Sequence, residues 1–181
     1  PLLFLGGSTV ILESFDPRQW LDVVEQYQPT RAFCVPAMWA AIHATGVQGR
    51  DLSSLQHTIS GGAPCPVVLL EALREQGLSF TEGFGLTETA PGASALATED
   101  VITRAGSIGK PLPHVDFRIV DEQGQDVPVG ETGELLIRGP NVFVGYWQKP
   151  EAARDALDED GWFHSGDLAR VDEQGFYYIV D

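Results

Sequence analysis

Cysteine is scarce in this chain: 181 residues contain two, Cys34 and Cys65. They follow no metal-ligand spacing, and each lies in apolar or turn sequence (RAFCVPAM and GGAPCPVV). A disulfide scaffold and a thiolate metal centre are therefore set aside in favour of reduced, structural thiols. Long apolar runs are missing too. No stretch reaches the length that spans a bilayer, and the opening PLLFLGG has neither a positive leader nor a cleavage site, so the expected compartment is cytoplasmic. Basic residues are few, 11 against 26 acidic, giving a formal net charge of -15 and a pI near 4.4. That balance argues against nucleic acid and anionic membrane as partners and leaves small molecules or proteins.

What is present suffices for a packed core. A hydrophobic fraction of 43% over this length fits one ordinary domain or two small subdomains. The chain also begins without methionine, in mid-hydrophobic sequence, as a piece of something longer would. Up to about residue 81, short β-branched runs alternate with amphipathic segments. TVILE (9–13) reads as a buried strand. DPRQWLDVVEQYQ (16–28) reads as a helix with an Asp N-cap and proline at its first position. RAFCVP (31–36) is the next strand, MWAAIHA opens a helix that stops at Gly46, HTISGG (57–62) is a third strand, and PVVLLEALREQG (66–77) is a third helix. Strands alternating with helices predict an α/β subdomain over 1–100, a parallel sheet covered by helices.

From 101 to 181 the grammar changes to alternating runs punctuated by Gly, Asp and Pro: VDFRIVDEQGQ, GELLIRG and DLARVDEQGFYYIVD. These predict a β-rich, barrel-like subdomain of antiparallel strands and hairpins, with one helix at 149–161. DEQG occurs at 121–124 and again at 172–175, as two turns built from the same favourable residues.

Open parallel sheets bind ligands at the carboxyl ends of their strands, where glycine-rich turns let backbone come close. Two segments fit. ISGGAPCP (59–66) is either a flat surface for a planar base or simply a tight strand-to-helix turn. TEGFGLTETAPG (81–92) sets two glycines beside Thr87, Glu88 and Thr89. Its amides and hydroxyls can turn toward a phosphate, and Glu88 can hold a Mg²⁺ that bridges phosphate oxygens. Equally, it is a glycine-rich loop with a threonine cap. It holds no Lys or Arg, so it is not a Walker loop, and GFGLTE is not a dinucleotide fingerprint. Asp167, after a Ser-Gly turn, suits a ribose diol or its own turn, and His164 reads as a structural histidine.

The ordered set ISGGAP, EGFGLTET and WFHSGDL, with GSIGKPLP, GELLIRGPNVFVGYW and GFYYIVD between and after, resembles the adenylate-forming acyl-CoA synthetases, the AMP-binding enzymes, along essentially the whole chain. The resemblance implies a fragment of that family's large N-terminal domain, ending at a hinge near Asp181. A lysine-bearing phosphate loop is expected before residue 1, and an arginine, the hinge and a small domain with a catalytic lysine after residue 181. The fragment alone is expected to bind nucleotide weakly and not to turn over.

By the same resemblance, Gly61, Gly62, Ala63 and Pro64 line adenine, and Glu82, Gly83, Phe84 and Gly85 contact the nucleotide. Phe84 stands where the family usually has Tyr, with the aromatic face and without the hydroxyl. Thr87 bonds the α-phosphate, Glu88 coordinates Mg²⁺, Asp167 holds the ribose hydroxyls, with Ser165 in place of the usual Thr, and Ile179 packs near the nucleotide. Gly85, Ala90 and Gly92 border the acid's pocket, to which Met38 and Trp39 are further candidates. The implied activity is AMP-forming acid–thiol ligation with ATP, Mg²⁺ and coenzyme A, on a carboxylic acid whose apolar tail is expected to be fatty or aryl. An amino-acid-activating domain of a peptide synthetase, a luciferase-like oxygenase and a non-catalytic nucleotide-binding relative share the motifs and remain open.

Overall fold

The computed structural model describes residues 5–181. Three helices, α1 (Pro17–Tyr27), α2 (Pro36–Thr45) and α3 (Val67–Glu75), alternate with strands β1 (Arg31–Cys34), β2 (His57–Gly61) and β3 (Phe80–Phe84). Each helix boundary follows from local chemistry. Asp16 caps α1 by accepting a hydrogen bond from the Gln19 amide at 2.8 Å, Pro17 and Pro36 sit where a helix needs no amide donor, and Gly77 after α3 takes φ +89°.

β1, β2 and β3 pair in parallel, as the strand–helix alternation predicts. The sheet then continues with two antiparallel strands, β4 (Ser94–Leu96) and β5 (Lys110–Pro111), in the order β1-β2-β3-β4-β5. Part of the glycine-rich loop expected at 81–92 is therefore strand. TEGF completes β3, and a 3₁₀ turn at Thr87–Thr89 reverses the chain into β4.

Helices and sheet enclose a core around Trp39, which is fully buried and stands edge-on to Trp20 and Phe80 at ring centroid distances of 5.7 and 4.9 Å. Its indole donates to the Ile59 carbonyl at 3.3 Å. Trp39 is thus core rather than the wall of a substrate pocket, and Met38 packs against the same cluster. The strand expected at TVILE does not form. Residues 9–13 join no ladder and are largely exposed, Ile11 at 85%; β-branched composition favours a strand, but a strand also needs a hydrogen-bonding neighbour.

The second sheet is antiparallel in the order β6-β7-β8-β9, from β6 (Asp116–Val120), β7 (Gly133–Arg138), β8 (Phe163–Val171) and β9 (Tyr177–Ile179). Its inner face buries Ile119, Leu135, Ile137, Phe163 and Ala169. Both DEQG segments make the same turn: Asp121 accepts from the amides of Gln123 and Gln125, and Asp172 from those of Gln174 and Phe176. The helix expected at 149–161 is shorter, α4 at Pro150–Ala156. Asp158 ends that region by accepting from the Asp160 and Trp162 amides, offering the backbone a turn in place of another helical one. Among the described residues no helix is long and apolar enough to cross a membrane.

Candidate functional site

The parallel strands β2 and β3 end side by side, with Ser60 and Gly61 in register with Glu82 and Gly83. Beyond those ends lies a cavity of about 500 Å³. One wall is the turn after β2, Gly62, Ala63 and Pro64, where Gly62 adopts φ +83° so that the chain can leave the strand without a side chain in the way. The floor and a second wall are Ser60 and the run from Glu82 to Leu86. Across the cavity stand Asp167 of β8, Ile179 of β9, Val180 and Asp181, with Gly106, Ser107 and Ile108 closing the side. Nine of the residues singled out from the sequence, at positions 62, 63, 64, 82, 83, 84, 85, 167 and 179, therefore face one space, although the last two come from a different sheet.

Three do not line it. Gly61 is buried behind the turn, where a Cβ would stand 2.9 Å from the Gly83 carbonyl and 3.1 Å from the Phe33 ring, so its small size serves the close approach of β2 to β3. Thr87 and Glu88 follow directly on Leu86, at the mouth; Thr87 is exposed and Glu88 half-buried. Thr89, by contrast, is fully buried: its hydroxyl accepts from the Leu86 amide at 2.8 Å and returns a bond to the Leu86 carbonyl at 3.0 Å. This threonine shapes the turn on which Thr87 and Glu88 are displayed. Gly85 allows that turn, since a Cβ there would run into the Pro91 carbonyl.

The charged groups around the cavity differ in kind. Burial pushes the Asp167 carboxyl above the usual carboxylate range, with no hydrogen bond to offset it. Its amide donates to the Ser165 hydroxyl at 3.1 Å, and that hydroxyl donates to the Leu135 carbonyl at 2.7 Å, so backbone is fixed while the carboxylate has no hydrogen-bond partner among the described residues. His164 is accounted for by Glu134, 3.0 Å from its Nδ1. Glu82 is also pushed up by burial, relieved in part by a bond from the Cys65 amide at 3.1 Å. The nearby Ser60 hydroxyl is fully buried; it has no nitrogen or oxygen partner among the described residues and lies against the Cys65 thiol, whose pKa burial raises and this hydroxyl draws partly down. At the mouth the Tyr146 hydroxyl donates to Glu88 Oε1 at 2.7 Å, and chiefly for that reason its pKa is held above the ordinary phenol value.

Such a space suits a flat, polar ligand that carries a diol and a phosphate. It offers bare backbone for a ring to lie on, the Phe84 side chain, the Asp167 carboxylate and the buried Ser60 hydroxyl, with the hydroxyl of Thr87 and the carboxylate of Glu88 next along the chain from Leu86. No group of three or more His, Cys, Asp or Glu that could hold a metal occurs among the described residues. A cation at Glu88 would therefore be completed by oxygens of the ligand and by water, as Mg²⁺ commonly is. Sequence reasoning missed Ser60, Leu86, Gly106, Ser107, Ile108, Val180 and Asp181 as lining residues. Ser60 and Leu86 sat inside segments already singled out, and the others lie in GSIGKPLP and GFYYIVD, which carried the resemblance without a role for these residues.

Comparison with known proteins agrees with this geometry. The family model for AMP-binding enzymes matches residues 1–147. A feruloyl-CoA synthase of an Amycolatopsis species is 44% identical over 182 residues, covering 100% of this chain and 37% of that protein. A medium/long-chain-fatty-acid–CoA ligase of Mycobacterium tuberculosis is 38% identical over 184 residues, covering 100% and 32%. Among solved structures, o-succinylbenzoate coenzyme A synthetase from Bacillus subtilis in complex with AMP superposes with a TM-score of 0.91 at 30% identity, over 99% of this chain and 36% of that one. The same synthetase has been solved with ATP and magnesium ion, with a TM-score of 0.89 at 30% identity over 97% and 36%. The chain thus spans about a third of the length of the relatives it matches. The α/β sheet and the antiparallel sheet match a segment of that synthetase, and the chain belongs to the family of AMP-binding enzymes.

Proposed function

We propose that the full-length protein is an AMP-forming acid–coenzyme A ligase and that the cavity is its nucleotide site. The observation that carries this reading is the convergence of the Gly62–Pro64 turn, the Glu82–Leu86 run and Asp167 on one space, with Thr87 and Glu88 next along the chain from Leu86. Adenine lies against Gly62, Ala63, Pro64 and Phe84, with Gly83 beside it and Gly61 keeping the two strands close. Ile179 covers the nucleotide from β9, and Ser60 and Glu82 offer polar groups at the floor. Asp167 accepts bonds from the ribose hydroxyls, which gives its desolvated carboxylate the partners it lacks.

The phosphates leave by the mouth. Thr87 donates to the α-phosphate, and Glu88 is the protein ligand for Mg²⁺, which when bound neutralises charge on the phosphate oxygens. A carboxylate oxygen of the acid bonds to the α-phosphorus as the bond to pyrophosphate breaks. Coenzyme A's thiolate then attacks the acyl carbonyl, and AMP leaves with the electron pair of the broken anhydride bond. The contribution of this chain is positional: it fixes the nucleotide so that the α-phosphorus meets the incoming acid. Gly85, Ala90 and Gly92 leave room for the acid, and the uncharged run TAPGASALA (89–97) supports a substrate with an apolar tail, aryl or fatty.

The test is AMP release by the full-length protein with ATP, Mg²⁺ and a panel of aryl, short, medium and long fatty, and amino acids, each with and without coenzyme A. The expected result is release that requires both one apolar acid class and coenzyme A. Release that depends on an amino acid and ignores coenzyme A would favour a carrier-linked adenylation domain. Absence of release with every acid would count against catalysis.

A further inference from the structure

Glu88 is gripped at two points by a single segment, Gly139 to Tyr146, which leaves the end of β7 in the other sheet. Its main-chain carbonyl accepts from the Phe143 amide at 2.8 Å, and its carboxylate Oε1 accepts from the Tyr146 hydroxyl at 2.7 Å. Two residues earlier in that segment, the Asn141 side-chain amide donates to the Thr89 carbonyl at 3.1 Å and to the Gly92 carbonyl at 2.6 Å. The turn that displays Glu88 is therefore bound on its C-terminal flank as well as through the residue itself.

The segment is in turn fixed to the second core. The Phe143 ring stands edge-on to Tyr146 at 4.7 Å and to Phe163 at 5.7 Å, and Phe163 is 3% exposed within that core. A glutamate at an open mouth has three freely rotating side-chain bonds and would spread its carboxylate over many positions. Here one oxygen is tied by a phenol whose ring packs on the half-buried Phe143, which in turn meets the buried Phe163. Oε2 is left for another partner.

We propose that Tyr146 is a positioning residue for a divalent cation, its hydroxyl holding the Glu88 carboxylate so that the remaining oxygen faces the metal–phosphate position. This rests on the reading of Glu88 as the metal ligand. It adds that the ligand's aim is set from the antiparallel sheet, so the cation site depends on both sheets although its carboxylate belongs to the turn between β3 and β4. Hydrogen-bond partners of ligating groups typically change metal affinity 10- to 100-fold when removed. Tyr146 is 37% exposed, which places its effect at the lower end, roughly tenfold.

The experiment is a Mn²⁺ titration of the full-length protein in the presence of a non-hydrolysable ATP analogue, followed by the electron paramagnetic resonance spectrum of the protein-bound ion. Wild type, Tyr146→Phe and Glu88→Ala are compared, and the affinity of the analogue is measured separately in metal-free buffer. Tyr146→Phe is expected to weaken Mn²⁺ roughly tenfold while leaving analogue affinity in metal-free buffer unchanged; general damage to the fold would weaken both. If Glu88→Ala abolishes protein-bound Mn²⁺ but Tyr146→Phe matches wild type, the positioning role is overturned and the metal site stands. Tighter Mn²⁺ binding by Tyr146→Phe also overturns it, because the phenol would then be competing with the cation. Mn²⁺ binding unaffected by Glu88→Ala would sink the metal reading and this inference together.

Discussion

Replacing Asp167 with asparagine should separate stability from binding in a way that few surface changes do. The carboxylate is half-buried, its pKa is raised by desolvation, and no hydrogen bond repays that cost. Asparagine has nearly the same shape and no charge to desolvate, so the unliganded protein should melt at the wild-type temperature or above it. Nucleotide binding should move in the opposite direction. If the carboxylate accepts from the ribose diol, the variant loses charge-assisted bonds worth about 1.5–3 kcal/mol, or roughly 10- to 150-fold in Kd for AMP.

The pH dependence carries a sign as well. A raised carboxyl pKa means that the folded, empty protein holds the proton more tightly than the unfolded chain, so ionised Asp167 opposes folding at neutral pH and the opposition fades as pH falls through the folded value. Binding that needs the ionised form must weaken over that same fall in pH, and Asp167→Asn should flatten the profile. Calorimetry of AMP binding to the full-length protein between pH 5 and 8, beside melting curves without ligand, measures both. A variant that melts several degrees lower, or binds AMP as tightly as wild type, would refute the reasoning.

Asp172 provides the contrast. Although burial alone would raise its pKa, bonds from the Phe176 and Gln174 amides, the Arg104 charge and the Tyr178 hydroxyl together lower it. Its stabilisation is therefore present above the unfolded carboxylate pKa and lost as pH falls through the lower folded value. Asp172→Asn should cost roughly 1 kcal/mol, about 2–4 °C in the melting midpoint, with AMP affinity unchanged. Cys34 is 1% exposed, and burial pushes its thiol up to about 12; iodoacetamide at pH 8 should label it only after denaturant is added, and labelling of the native protein, mapped by mass spectrometry, would contradict the burial. Gly85→Ala forces a methyl group against the Pro91 carbonyl. Overpacking of this kind costs about 1–3 kcal/mol, and because the turn moves with it, AMP affinity should fall too, as calorimetry would register.

The helices and parallel strands were legible because their signals are local. Asp16 and Pro17 start a helix, Gly46 and Gly77 follow helix ends, and the short runs at 31–34 and 57–61, set between those helix signals, are the strands that pair with each other. TVILE failed on the one requirement that composition does not carry, a neighbour. The motif residues were legible by resemblance, which supplied roles for Thr87, Glu88 and Asp167 that their local sequence left open.

Only the tertiary structure decided that Asp167 and Ile179 face the turn after β2, more than a hundred positions away, because that depends on how the second sheet packs beside the ends of β2 and β3. It also decided that Trp39 is core, that the buried Ser60 borders the cavity, and that Tyr146 reaches Glu88 across 58 positions. Caps, turns and periodicity are properties of neighbouring residues and can be read along the chain. Desolvation and long-range hydrogen bonds are properties of the packed assembly, and they exist only once both sheets are in place.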